Sequence, residues 1–489
     1  MLKKAASFVL TSLGGSTYRE AYALPPRSLR PRRPAFLNIL AWPSRSSLLS
    51  WPVFQAIVRR VFQQPAMRVG LGFWSLLCWS LLVPSAQATE LVRVLLFQDV
   101  QRVEVSSGEG MTVRLSSGDE RAFETPLIVT SLADGIAVNG ERFQTEGVTV
   151  RGRQDLRVEV EGQIEAQRPD RPIERAAVFL RPLSQGATAS PGPSPVLQAT
   201  EPTGTMVVSG SLHVLRRGQG LMVINAVDLE EYVKGVVPSE VSSSWHQEAL
   251  KVQAVAARTY AVYQQMMNAG RDYHLVSSIQ DQVYRGRHGV DPRVQQAVED
   301  TRGIVVTHLN APILAAFSST AAGQTEDAVN VWSKDLPYLK GVECPFDTNS
   351  PYYQWRTSFK VVELETNLRQ KGMAVGSIAN VSPLSYSRAG RVAMVRILHS
   401  NGELILRGED LRRVVGYAVI PSTQFELEAV GSELVLSGYG AGHAVGLCQW
   451  GAKELAELGY HFPAILQYYF PGTELKDARL LESVSPSTP

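Results

Sequence analysis

One carboxylate stands out by its setting. Glu240 closes the apolar run Gly235-Val236-Val237-Pro238-Ser239 and is followed by Val241 and Trp245, just ahead of an expected helix. Those apolar neighbours would desolvate the acid and lift its pKa towards the general-acid range, while unsatisfied N–H groups at a helix start would pull it down. On these residues alone, a solvated charge near a helix start is the simpler reading. Further along, four glycines in Gly438-Tyr439-Gly440-Ala441-Gly442-His443-Ala444-Val445-Gly446 allow positive φ and close backbone approach around His443. No strand-and-phosphate context accompanies them, so they do not read as a nucleotide loop.

The elements that must position these residues are legible in outline. Ser244 with Gln247 three residues later reads as a capping box opening a helix, on whose near side Glu240 would lie in a loop. Ala249, Val252, Ala256, Tyr260 and Tyr263 mark one buried face, and the helix is expected to run to about Met267, with Gly270 as its stop. Before it, residues 89–183 alternate apolar and polar, as in Val103-Glu104-Val105 and Leu156-Arg157-Val158, and read as strands. Asn139-Gly140 is a hairpin signal. Residues 184–204, rich in Pro, Ser, Ala and Gly, read as a linker or loop. Strands are expected between Thr205 and Asn225, and further helices over Ala452–Leu458 and Pro463–Tyr469. The class is α+β.

With 489 residues, the chain has room for two to four domains. Hydrophobic residues at 44% and charged residues at 19% exclude a largely disordered chain. The net charge of +2 hides an asymmetry: residues 1–66 hold ten Lys or Arg and one acid. From Met67 follow one Arg, fifteen uncharged residues (Val69 to Val83), Pro84 and Ala86-Gln87-Ala88, the anatomy of a signal peptide over 67–88. Met67 is then the expected start, residues 1–66 an untranslated or basic leader, and the destination the periplasm or cell wall. After cleavage, 37 bases face 45 acids, which removes the basic footprint that nucleic-acid binding needs. Only Cys344 and Cys448 of the three cysteines would remain, either paired or as buried thiols.

Three ordered blocks carry a resemblance. NAVDLEEYVKGVVPSEVSSSWHQEALKVQAVAARTYA over 225–261 resembles the signature of the SpoIID/LytB family of exported cell-wall proteins. The block from Phe317 to Val342, with its Trp and Leu-Pro-Tyr-Leu, resembles that family's central block, and Gly438 to Leu475 its closing motif and helix. The resemblance implies a SpoIID-like catalytic domain over 205–480, with 481–489 as a tail. It implies a peptidoglycan lytic transglycosylase that cuts between N-acetylmuramic acid and N-acetylglucosamine and closes a 1,6-anhydro ring. Glu240 falls on the family's catalytic acid and would serve as general acid and then base.

The same resemblance places Gln282, Tyr284 and Arg285 among polar positions of the cleft. Ser319 and Thr325, in a polar run with Ser318, Thr320 and Gln324, could hydrogen-bond glycan groups; His443 could orient Glu240 or bind a sugar; Gln449 and Trp450 read as a hydrogen-bonding and stacking pair. Each also has a plain structural reading. The family's zinc-binding members carry His and two Cys after the long helix, but here only His274 remains and Asp281 stands at the second Cys, so no metal and no cofactor are expected. Arg258 could pair with a buried carboxylate, Glu240 included. Asp228, Glu230, Glu231 or Glu248 could complete a two-carboxylate hydrolase instead. The non-enzymatic alternative is a LytB-like wall-binding protein that modifies an N-acetylmuramoyl-L-alanine amidase.

Overall fold

The computed structural model describes residues 91–161 and 205–481. The expected leader, signal segment (67–88), linker (184–204), end of the β-rich region (162–183) and tail after 481 lie outside the described residues.

The alternating segments form two sheets. One runs in the order Leu275–Val276, Val92–Val100, Gly220–Val227, Ser211–Arg217, Gly147–Gly152, Met111–Leu115, Glu120–Phe123. Its pairs are antiparallel except the short 275–276 strand, which lies parallel to Val92–Val100. The other runs Thr205–Val208, Leu156–Glu161, Arg102–Ser106, Leu127–Leu132, Gly135–Val138, Glu141–Phe143. The expected hairpin forms at Asn139 (φ 47°) and Gly140 (φ 85°), the pair of left-handed residues that a two-residue turn of this hand requires. Strands from both sides of 184–204 share each sheet, and Val103, Val113, Val129, Val150, Val214 and Val223 enter one core.

On that core lie two consecutive helices, α1 (Leu229–Glu240) and α2 (Gln247–Met267). α1 begins where the Asp228 carboxylate accepts the N–H groups of Glu230 and Glu231 at 2.9 and 3.3 Å. α1 carries Pro238 inside its last turn and continues through it. Glu240 is therefore the last residue of a helix, not part of a loop. The N-cap of α2 is His246, whose Nδ1 accepts the Glu248 N–H at 3.2 Å, in place of Ser244. Its C-cap is Asn268, two residues before Gly270.

The α2 helix is buried on two faces. Leu250, Ala254, Ala257 and Ala261, spaced by four and three, enter the first core, while Ala249, Val252, Val255 and Ala256 enter a second. Small residues let both neighbours approach, so the sequence expectation of one face was too narrow. The second core is completed by residues 313–339 and by α7 (Gln449–Glu457) and α8 (Phe462–Tyr469), which follow α3 (Pro292–Asp300), α4 (Ala328–Trp332), α5 (Val361–Gln370) and α6 (Gly408–Val415) in the chain. A third core, from Trp355 to Leu436, belongs to two three-stranded sheets with α5 and α6, set in sequence between the central and closing blocks.

Candidate active site

Glu240 sits where α1 ends against the start of α2. Its side chain is half-buried beside Val237 and Val241, with one oxygen, Oε1, accepting the Val283 N–H at 2.7 Å. The Gln449 amide hydrogen-bonds the same carboxylate, and the Arg285 guanidinium lies within electrostatic range. Burial is the dominant influence and pushes the carboxyl up to about 7; the Val283 N–H, Gln449 and Arg285 oppose it without prevailing. The group is thus poised to give and take a proton near neutrality.

Two tryptophans follow the acid and its partner Gln449 in sequence. Trp245, five residues on, meets Trp450 edge-on with ring centroids 5.3 Å apart, and both are partly exposed. The Trp450 N–H donates to the Ser319 carbonyl at 3.1 Å, which brings Ser319, half-buried, alongside Gln449 and Trp450. Gln449 is buried and also donates to Gln253 of α2 at 3.3 Å, fixing the amide that faces Glu240.

The other expected site residues are placed elsewhere. Gln282 is fully buried: its Oε1 accepts the Tyr232 hydroxyl at 3.0 Å and its Nε2 faces the Ala257 carbonyl at 3.4 Å. Tyr284 is buried with its ring 5.0 Å from that of Tyr232 and its hydroxyl donating to Asn225 Oδ1 at 3.0 Å. A Cβ at Gly235 of α1 would come within 2.6 Å of the Tyr284 ring, so glycine is required there. These two side chains therefore face the core instead of a substrate, and they bracket Val283, whose N–H reaches the acid. Thr325 is buried and exchanges hydrogen bonds with the Val342 backbone. His443 is held near Trp332, ring centroids 4.9 Å apart; Nδ1 accepts the Val445 N–H at 3.0 Å and the other nitrogen bonds the Phe317 backbone. Burial with Arg412 and Arg391 lowers it to about 3, so it is neutral, and both nitrogens are committed to backbone rather than to Glu240.

Arg258 pairs with Glu230, not Glu240. Its Nη2 and Nε reach the Glu230 carboxylate at 2.7 and 2.9 Å, fully buried between α1 and α2, while Glu230 Oε1 also accepts the Gly303 N–H. Asp228 is spent on its cap, Glu231 on Lys234 and Arg287, and Glu248 on Lys251 and the Phe462 N–H. Each of the four acids considered as a second carboxylate thus has another task. In the stretch after α2, the Arg93 backbone N–H donates to His274 Nδ1 at 3.2 Å and its guanidinium lies 2.7 Å from Nε2, leaving neither nitrogen to a metal. Asp281 there accepts from Tyr260 and the Val276 N–H. Trp245 was read from sequence only as a desolvating neighbour; its pairing with Trp450 spans some 200 residues and has no local signal.

Residues 217–308 match the Stage II sporulation protein family, and residues 330–446, which hold the third core, match a domain of unknown function. The chain is 32% identical over 326 residues to the stage II sporulation protein D of Bacillus subtilis, covering 62% of this chain and 86% of that one. It is 33% identical over 269 residues, 55% of this chain and 72% of the other, to an uncharacterized protein of Brachyspira hyodysenteriae. An amidase enhancer of Bacillus subtilis matches at 30% over 291 residues, 50% of this chain and 40% of the enhancer. With the acid, its helix pair and the closing Gln-Trp in place, the chain belongs to the SpoIID family.

Proposed function

We propose that the chain is an exported peptidoglycan lytic transglycosylase acting on glycan strands in the periplasm or cell wall. The observation that carries this is the desolvated Glu240, raised to about 7 and held by Val283 and Gln449, while Asp228, Glu230, Glu231 and Glu248 are each engaged with other groups. A two-carboxylate glycosidase needs a partner about 5 to 9.5 Å away to activate water or attack the sugar. One carboxyl suffices if the substrate's own 6-hydroxyl is the nucleophile. Protonated Glu240 donates to the leaving glycosidic oxygen, then as carboxylate takes the 6-hydroxyl proton as the 1,6-anhydro ring closes. Trp245 and Trp450 supply apolar ring faces for sugars, and Gln449 and Ser319 supply polar groups beside the acid.

The amidase-enhancer relative supports a second reading, a wall-bound modifier of an amidase in which Glu240 is dispensable. Incubating the purified chain with peptide-free glycan separates the two. Transglycosylase activity yields anhydro-ended fragments that Glu240→Gln abolishes; stimulation of an amidase without such fragments supports the modifier, and fragments with ordinary reducing ends indicate a water-using hydrolase.

A further inference from the structure

Away from Glu240, Cys344, Asp347 and Cys448 meet inside the second core. One donor atom from each lies within 4.8 Å of the other two, and all three residues are buried. Cys448 Sγ is 3.2 Å from Asp347 Oδ2 and receives the backbone N–H groups of Ala321 and Gly451, both at 3.4 Å. Asp347 Oδ2 is further bonded by the N–H groups of Ala321 and Ala322 at 2.7 and 2.8 Å, whereas its buried Oδ1 has no hydrogen-bond partner. The Tyr469 hydroxyl stands 3.3 Å from Cys344 Sγ.

The Cys448 sulfur, at the start of a nine-residue helix, takes the two backbone N–H groups and as a thiol donates to Asp347 Oδ2 and, at 3.6 Å, to the Ser319 carbonyl, so a cation would take the place of the thiol proton. A bound cation would also engage the orphaned Asp347 Oδ1, which is otherwise buried without a partner. Buried Arg391 lies within electrostatic range of Cys448 and Asp347, where its guanidinium would offset part of the residual negative charge.

We propose that Cys344, Asp347 and Cys448 form a structural site for a thiolate-preferring divalent cation, zinc above others, with the Tyr469 hydroxyl beside the remaining position. The site is distinct from the His274 stretch, where the sequence reading had looked for a metal and expected none. Cys448 immediately precedes Gln449, so the ion would pin the first turn of α7 to the 344–347 turn and set the amide that faces Glu240.

The test uses the purified full-length chain without a metal-binding tag. It is kept reduced, supplied with Zn²⁺ or Co²⁺, desalted, and examined by elemental analysis and absorption. The expected result is about one zinc per chain and, with cobalt, the sulfur-to-metal charge-transfer and intense d–d bands of a tetrahedral thiolate site. Cys344→Ser and Cys448→Ser should each remove the charge-transfer bands, and Asp347→Asn should weaken retention by about tenfold or more. Failure of wild type to hold either metal, metal content unchanged in the double cysteine variant, or a Cys344–Cys448 disulfide in chain purified without reductant would each overturn the proposal.

Discussion

At the scale of single residues, Glu240 shows how one burial serves chemistry at the expense of stability. Its folded-state pKa of about 7 lies above the ordinary 4.5. The contribution it makes to stability is therefore complete below pH ~4.5 and is lost as pH rises to about 7, by up to about 3 kcal/mol. Glu240→Gln keeps the shape without the charge. Urea unfolding should find the variant more stable than wild type at pH 8 by up to that amount, and equal to it at pH 4. On the proposed transglycosylase reading the same protonation would govern turnover: kcat/KM should fall about tenfold per unit above pH 7, where the acid form is depleted, and Glu240→Gln should lower it by about 10²- to 10⁴-fold at pH 6. Tyr284 makes the opposite case. Removing its hydroxyl from Asn225 in Tyr284→Phe should cost about 1 kcal/mol by thermal unfolding and leave glycan cleavage intact.

At the scale of elements, the helix pair α1 and α2 makes the site, and the buried Glu230–Arg258 pair ties the two together. Arg258→Met leaves Glu230 as an uncompensated buried charge and should destabilise the fold by about 3–5 kcal/mol in denaturant titrations; Glu230→Gln combined with Arg258→Met should recover much of that loss. Much of this architecture was legible in the sequence, because α2 carries a strong period of apolar and small residues and Asn139-Gly140 admits few turns. The capping of α2 was misread because Ser244 and His246 are both competent caps, and only the packed turn selects His246. The end of α1 was missed because Pro238 reads as a breaker, yet the helix carries it in its last turn. Gln282 and Tyr284 were placed in the cleft by the family resemblance, with a core position open for Tyr284; burial through tertiary partners such as Tyr232 and Asn225 leaves no mark in local sequence.

At the scale of the whole molecule, α2 belongs to two cores at once while residues 354–439 build a third from their own strands and helices. Native-state hydrogen exchange should find both faces of α2 protected together, in the most stable unit, and the strands between 354 and 439 opening as a separate one. The first two cores converge on Glu240: Val283 comes from the segment after α2 and Gln449 from the closing motif, so the acid is assembled from parts more than 150 residues apart. The most direct test of that assembly is mass spectrometry of peptide-free glycan digested by the purified chain. The account predicts fragments ending in 1,6-anhydro-N-acetylmuramic acid from wild type and none from Glu240→Gln. Wild-type fragments with ordinary reducing ends, or anhydro fragments undiminished in the variant, would contradict it.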